Sequence, residues 1–173
     1  MDGTGDYLSI PSDQLLSNSS FEVWSGGDTS APNSWVLGGT NVSIAKSAAI
    51  KRLGAYAAKV TSHSSVVQLY QAIHAAKGIA YWRGRTVTVG AWVYATNANC
   101  VRIAAYDGIG LAASPWHTGD STWQYLTATK QINSTGTWVS AHLQVFRNGS
   151  EAYVDDAFLS DDATSTFNCY INN

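Results

Sequence analysis

Alternation with a period of two runs through most of this chain, the pattern of strands with one buried and one open face. Over residues 86–95, Val87, Val89, Ala91, Val93 and Ala95 fall on one side, with Thr86, Thr88, Gly90, Trp92 and Tyr94 on the other. Over 101–106, Val101, Ile103 and Ala105 oppose Arg102, Ala104 and Tyr106. Over 138–146, Val139, Ala141, Leu143 and Val145 oppose Ser140, His142, Gln144 and Phe146. Further strands are predicted over 41–50, 55–61, 66–73, 123–132 and 152–159. Gly38-Gly39, Asp107-Gly108, Ser134-Thr135-Gly136 and Asn148-Gly149 supply the turns between them. Residues 71–84 break the pattern and read as a loop, with a short helical turn over 73–77 before Gly78. Regularly spaced strands without long helices predict an all-β sandwich or barrel. The division expected is an N-terminal arm (1–17), one domain (18–160) and a C-terminal tail (161–173).

Composition narrows the functional classes. The chain has 173 residues, enough for one domain with a sizeable core. With 45% hydrophobic and 13% charged residues it reads as folded. A net charge of −2 gives no electrostatic case for nucleic acid or an anionic membrane. No stretch approaches membrane-spanning length, and Met1-Asp2-Gly3 does not open a signal peptide. Cys100 and Cys169, with His63, His74, His117 and His142, show no zinc spacing. The two cysteines read either as a disulfide or as two thiols. Asn18, Asn41, Asn133 and Asn148 stand in Asn-x-Ser/Thr triplets, which matter only in a secretory pathway. There is no Gly-x-Ser-x-Gly elbow, phosphate loop or His-Glu-x-x-His. His117 and Asp120 are neighbours in sequence, but spacing alone makes no catalytic pair. The chain is therefore expected not to be an enzyme.

An ordered set of short motifs then carries a resemblance. It runs Asn18-x-x-Phe21-Glu22, Trp35, Gly54-Ala55-Tyr56-Ala57-Ala58-Lys59-Val60 and Leu69-x-Gln71-x-Ile73. It continues through residues 84–93, Trp123-x-x-Leu126 and Tyr153-Val154-Asp155-Asp156-x-x-Leu159. In this order the chain resembles the jelly-roll carbohydrate-binding modules of families four, nine and twenty-two. Residues 84–93 also resemble the version found in phage virion proteins. The resemblance implies a jelly-roll β-sandwich of two antiparallel sheets. It also implies a structural calcium (Ca2+) joining the first strand to the last through Glu22 and Asp156, with carbonyls near Asn18 and Lys59. Calcium takes six to eight oxygen ligands, which such a set begins to supply. Asp155 is expected at the solvent side or as a hydrogen-bonding neighbour.

Sugar-binding residues of that family lie on one sheet face, so the candidates here are Trp92, Tyr94, Arg102, Tyr106, His142 and Gln144. Aromatic rings stack on the apolar faces of sugars, while Arg, His and Gln bond hydroxyls. The alternative for Trp92 and Tyr94 is packing on the second face of a covered strand. The reading is a non-catalytic jelly roll on a phage virion or similar particle, in a decorating, structural or adhesive role, binding glycans. The alternative is a carbohydrate-binding module of a secreted polysaccharide-degrading enzyme. Expected partners are virion or assembly proteins through the termini, a polysaccharide or cell-surface glycan, and a second copy of the chain. The chain opens at Met1 without a tag, and Phe167, Tyr170 and Ile171 make its tail apolar, which points to arms packed on a neighbour. Residues 2–8 look like the opening strand of a laminin-G-like sandwich, too short to build a second domain. The expected location is a virion surface or the extracellular space.

Overall fold

The computed structural model describes residues 14–161. It has ten strands: β1 (Val36–Gly38), β2 (Val42–Ser47), β3 (Ala57–Ser62), β4 (Val66–Ala72), β5 (Thr86–Ala95), β6 (Val101–Tyr106), β7 (Leu111–Ala113), β8 (Trp123–Gln131), β9 (Ser140–Phe146) and β10 (Glu151–Ser160). They form two antiparallel five-stranded sheets, ordered β1-β4-β9-β6-β7 and β2-β3-β10-β5-β8. This is the jelly-roll β-sandwich expected from the alternation and the motifs. All eight predicted strands are present. The two additional ones, β1 and β7, have three residues each, too few to display a period.

Residues 71–84 hold two single-turn helices, α1 (His74–Lys77) and α2 (Ile79–Trp82), split by Gly78. Residues 73–77 do form the suspected turn, and the second turn follows because Trp82 drops into the core at 1% exposure.

The alternating apolar rows meet between the sheets. Val87, Val89, Ala91 and Val93 of β5 face Val101 and Ile103 of β6 and Ala141, Leu143 and Val145 of β9, all buried in one core. Burying the Val, Ile and Leu side chains among these stabilises a fold by about 1.5–3 kcal/mol each.

The two ends of the domain meet. Leu15 N–H donates to Leu159 O at 3.0 Å and Ala157 N–H to Ser19 O at 2.8 Å. Gln14 bonds both Ala157 O and Leu159 N–H through its side chain. The inner end of the expected arm is thus tied to its own last strand. At the other end, Asp161 accepts the Tyr81 hydroxyl at 2.6 Å. The rest of both arms lies outside the described residues, including residues 2–8, Phe167, Tyr170, Ile171 and Cys169, the other half of the disulfide that the sequence left open. Cys100 is buried, and its thiol donates to Asn97 O at 2.8 Å.

Candidate functional site

Strand register decides which of the predicted residues meet. Across the first sheet, Tyr70 of β4 pairs with His142 of β9, and His142 with Ala104 of β6. Gln68, Gln144 and Arg102 form the adjacent row, and Tyr106 stands opposite Ser140 and Leu111. The outer side chains of these rows enclose a cleft of about 200 Å³ lined by Gln68, Ala104, Tyr106, Leu111, His142 and Gln144.

His142 forms the floor of the cleft. Its Nδ1 lies 3.0 Å from Gln68 Oε1, which can only accept, so Nδ1 carries the proton. Its Nε2 then accepts the Ser140 hydroxyl at 2.6 Å. Burial pulls the imidazole down to about 4, so it stays neutral at ordinary pH. Tyr70 stacks on it at 5.1 Å, and Tyr106 meets it edge-on at 5.7 Å. One row along, Arg102 Nε–H donates to Gln144 Oε1 at 3.0 Å. The Arg102 guanidinium lies over the rings of Trp116 (4.8 Å) and Phe146 (5.1 Å), which meet each other edge-on. Polar groups held in fixed geometry between aromatic walls are what a ligand cleft needs.

Arg102, Tyr106, His142 and Gln144 are therefore brought together. Trp92 and Tyr94 are not, because β5 belongs to the other sheet. Alternation places all six residues away from the core, but there are two such faces and the period cannot tell them apart. Tyr94 packs against Trp123 (5.8 Å) and edge-on against Tyr153 (5.7 Å). The Trp92 ring is covered by the Arg52 guanidinium at 3.8 Å and flanked by Tyr125. These rings pack on their own neighbours and stay half-buried, on the opposite side of the sandwich from the cleft.

Six contributors to the cleft and its rim are not among the site candidates that the sequence offers: Gln68, Tyr70, Ala104, Leu111, Trp116 and Phe146. Gln68 and Tyr70 were signalled by their alternation with the buried Val67 and Leu69. Trp116 lies in a loop, where no periodicity points to it.

The residues proposed for calcium occupy the other edge of the molecule. A bulge in β10 between Asp155 and Phe158 turns Asp156 out of register, with φ of 46°. The loop of residues 48–56 then wraps around the carboxylates. Arg52 N–H and Leu53 N–H donate to Asp155 Oδ2 at 2.9 and 3.2 Å, and Arg52 Nη1 reaches Asp156 Oδ2 at 3.2 Å. Ala55 N–H and Tyr56 N–H donate to Glu22. The Asn18 carbonyl already accepts Phe21 N–H and Trp35 Nε1–H. Among the described residues no cluster of three His, Cys, Asp or Glu side chains is set for a metal. Oxygens that face N–H donors in this way match a guanidinium and an amide-rich loop. They do not fit a calcium cage as they stand.

Asp155 is fully buried rather than at the solvent side, and it acts as the hydrogen-bonding neighbour. Burial pushes it up to about 7, with the Asp156 charge adding to the effect and backbone N–H donors opposing it. Burial also raises Asp156, against the Arg52 cation.

His117 and Asp120 do not form a pair. His117 Nδ1 accepts Gly119 N–H, so Nε2–H points to the Val93 and Thr122 carbonyls. Asp120 instead accepts from Thr122 and Gln124. Asp107, at its turn, is buried and held at about 2. Burial opposes this, but Gly110, Asn133 and Ile109 N–H groups and Lys130 prevail.

Comparison with known proteins finds no matching family model and no matching curated protein. Solved structures do match. The module TmCBM61 in complex with beta-1,4-galactotriose aligns with a TM-score of 0.61 and 19% identity, over 87% of this chain and 100% of that one. The C-terminal family 22 carbohydrate-binding module of Clostridium thermocellum Xyn10B gives 0.66 and 15%, over 91% and 100%. The bacteriophage CBA120 tailspike protein 4 enzymatically active domain gives 0.55 and 15%, over 85% of this chain but only 21% of that one. The chain has the jelly-roll fold of these carbohydrate-binding modules.

Proposed function

We propose that this domain is a non-catalytic glycan-binding module and that the Tyr106–His142–Gln144 cleft is its binding site. The observation that carries the reading is the cleft itself. A neutral, fully hydrogen-bonded imidazole forms its floor, tyrosines flank it, glutamine amides line its upper row, and Arg102 stands behind that row, bonded to Gln144. Such a surface offers rings for the apolar faces of sugars and donors and acceptors for hydroxyls. It holds no acid pair of the kind that glycoside hydrolysis requires. A cleft near the lower end of ligand-pocket sizes suits a few sugar units of a single chain.

Titration calorimetry against a soluble panel that includes xylan and β-1,4-galactan tests the reading. Binding is expected to weaken by about tenfold or more in Tyr106→Ala, the usual scale for a buried aromatic contact. If no glycan on the panel or on a broad array binds, the reading fails. It also fails if Trp92→Ala or Tyr94→Ala abolishes binding while Tyr106→Ala leaves it intact.

Two settings for the domain stand as alternatives. Display on a phage virion or similar particle, in an adhesive or decorating role, has a likeness of fold alone to part of a tailspike domain behind it. The likeness to a family 22 module joined to a xylanase catalytic module favours a secreted polysaccharide-degrading enzyme. Labelling purified particles and secreted fractions with an antibody to the domain separates the two.

A further inference from the structure

We propose that the cleft selects glycans bearing a carboxylate, such as a uronic acid or comparable acidic sugar, and that Arg102 reads that charge. The proposal rests on the cleft being a glycan site and adds the class of sugar.

Charge is distributed unevenly between the two sheets. Strands β1, β4, β9, β6 and β7 contain one charged side chain, Arg102, and no Asp or Glu. This is so in a chain whose net charge is −2. The strand carboxylates all belong to β10 of the other sheet, where Glu151 pairs with Lys59, Asp155 is held by backbone N–H groups and Asp156 pairs with Arg52. The remaining described acids are also engaged elsewhere. Glu22 holds Ala55 and Tyr56, Asp28 pairs with Lys46, and Asp107 pairs with Lys130. Asp120 holds Thr122, and Asp161 holds Tyr81. Among the described residues, none of them forms an ion pair with Arg102.

Arg102 is also preorganised. Gln144 holds Nε, and the guanidinium carbon lies 4.8 and 5.1 Å from the Trp116 and Phe146 ring centres. Among the described residues its two Nη groups have no hydrogen-bond or ion-pair partner, which leaves them for a ligand. A guanidinium in a fixed plane matches a carboxylate through paired N–H···O bonds, which a neutral hydroxyl cannot reproduce. His142, being neutral, neither competes for the anion nor supplies a second charge. The one charged strand residue of this sheet thus stands at the edge of the cleft, bonded to its lining residue Gln144, a pattern suited to one acidic substituent on an otherwise neutral chain.

The test compares an acidic polysaccharide with the same polymer after carboxyl reduction, using glucuronoxylan and polygalacturonate as probes. Calorimetry is expected to give about tenfold or greater preference for the unreduced form, the scale of a charge-assisted bond. In Arg102→Gln that ratio should collapse toward one, and Arg102→Lys should retain part of it. In the wild type the preference should shrink as salt is raised, because a partly exposed ion pair is screened. This readout does not depend on any variant folding. Equal affinity for both forms, a preference that survives in Arg102→Gln, or a preference indifferent to salt overturns the proposal. Neutral glycan binding that is lost in Tyr106→Ala, without any acidic preference, overturns this proposal alone. Failure of both forms to bind overturns the glycan reading with it.

Discussion

His142 illustrates how much a single side chain depends on its surroundings. In sequence it is a histidine on the polar side of a strand. In the fold it is 7% exposed, bonded at both nitrogens and enclosed by two tyrosines. Its folded value near 4 lies below the ordinary 6.5, so the unfolded chain binds the proton more tightly. Stability from this residue is therefore complete above about pH 6.5 and is lost as pH falls toward 4, by about 2 kcal/mol at pH 5. Burial raises Asp155, which gains stability over the same range, so the His142 contribution is read as a difference. Between pH 7 and pH 5 in urea unfolding, the stability change of the wild type should be about 2 kcal/mol less favourable than that of His142→Gln. An equal change in both would place no acid sensitivity at His142. The polar position of His142 was legible because the strand period exposed it. Its neutrality was not, because that depends on Gln68 and Tyr70 of β4, far away along the chain.

At the scale of elements, the last strand and the 48–56 loop form the tie that joins the chain ends. Asn18-x-x-Phe21-Glu22 and Tyr153-Val154-Asp155-Asp156 were legible as a pair that should meet, and they do. The counter-charge was not legible. Arg52 stands in a loop without periodicity, and only the β10 bulge brings Asp156 against it. Gly54 belongs to this arrangement, since a Cβ there would collide with the Glu22 carboxylate. We propose that the guanidinium does the work that the family resemblance assigns to calcium. The thermal midpoint should then be unchanged by chelator or added calcium, since only a ligand bound to the folded state shifts it. Arg52→Ala should lower stability by about 3–5 kcal/mol, the cost of leaving a buried charge without its partner. A midpoint that rises with calcium and falls with chelator would restore Glu22 and Asp156 as metal ligands.

For the whole molecule, the sandwich keeps two polar constellations apart. The proposed glycan cleft lies on the β1-β4-β9-β6-β7 sheet, and the carboxylate tie is anchored on β10 of the other, with a core layer about 10 Å thick between the sheets. Stability changes from Tyr106→Ala and Arg52→Ala should therefore add to within about 0.5 kcal/mol in urea unfolding of the double variant. A larger shortfall would mean that the core couples the two faces. The sequence by itself determined eight of the ten strands, their buried faces and the meeting of the ends, because a two-residue period and turn chemistry are local properties. It also determined that Arg102, Tyr106, His142 and Gln144 point away from the core. Which outer face each residue occupies was decided only by the tertiary structure. Sheet membership follows from strand pairing over long separations, and this sent Trp92 and Tyr94 to one side of the sandwich and the cleft to the other.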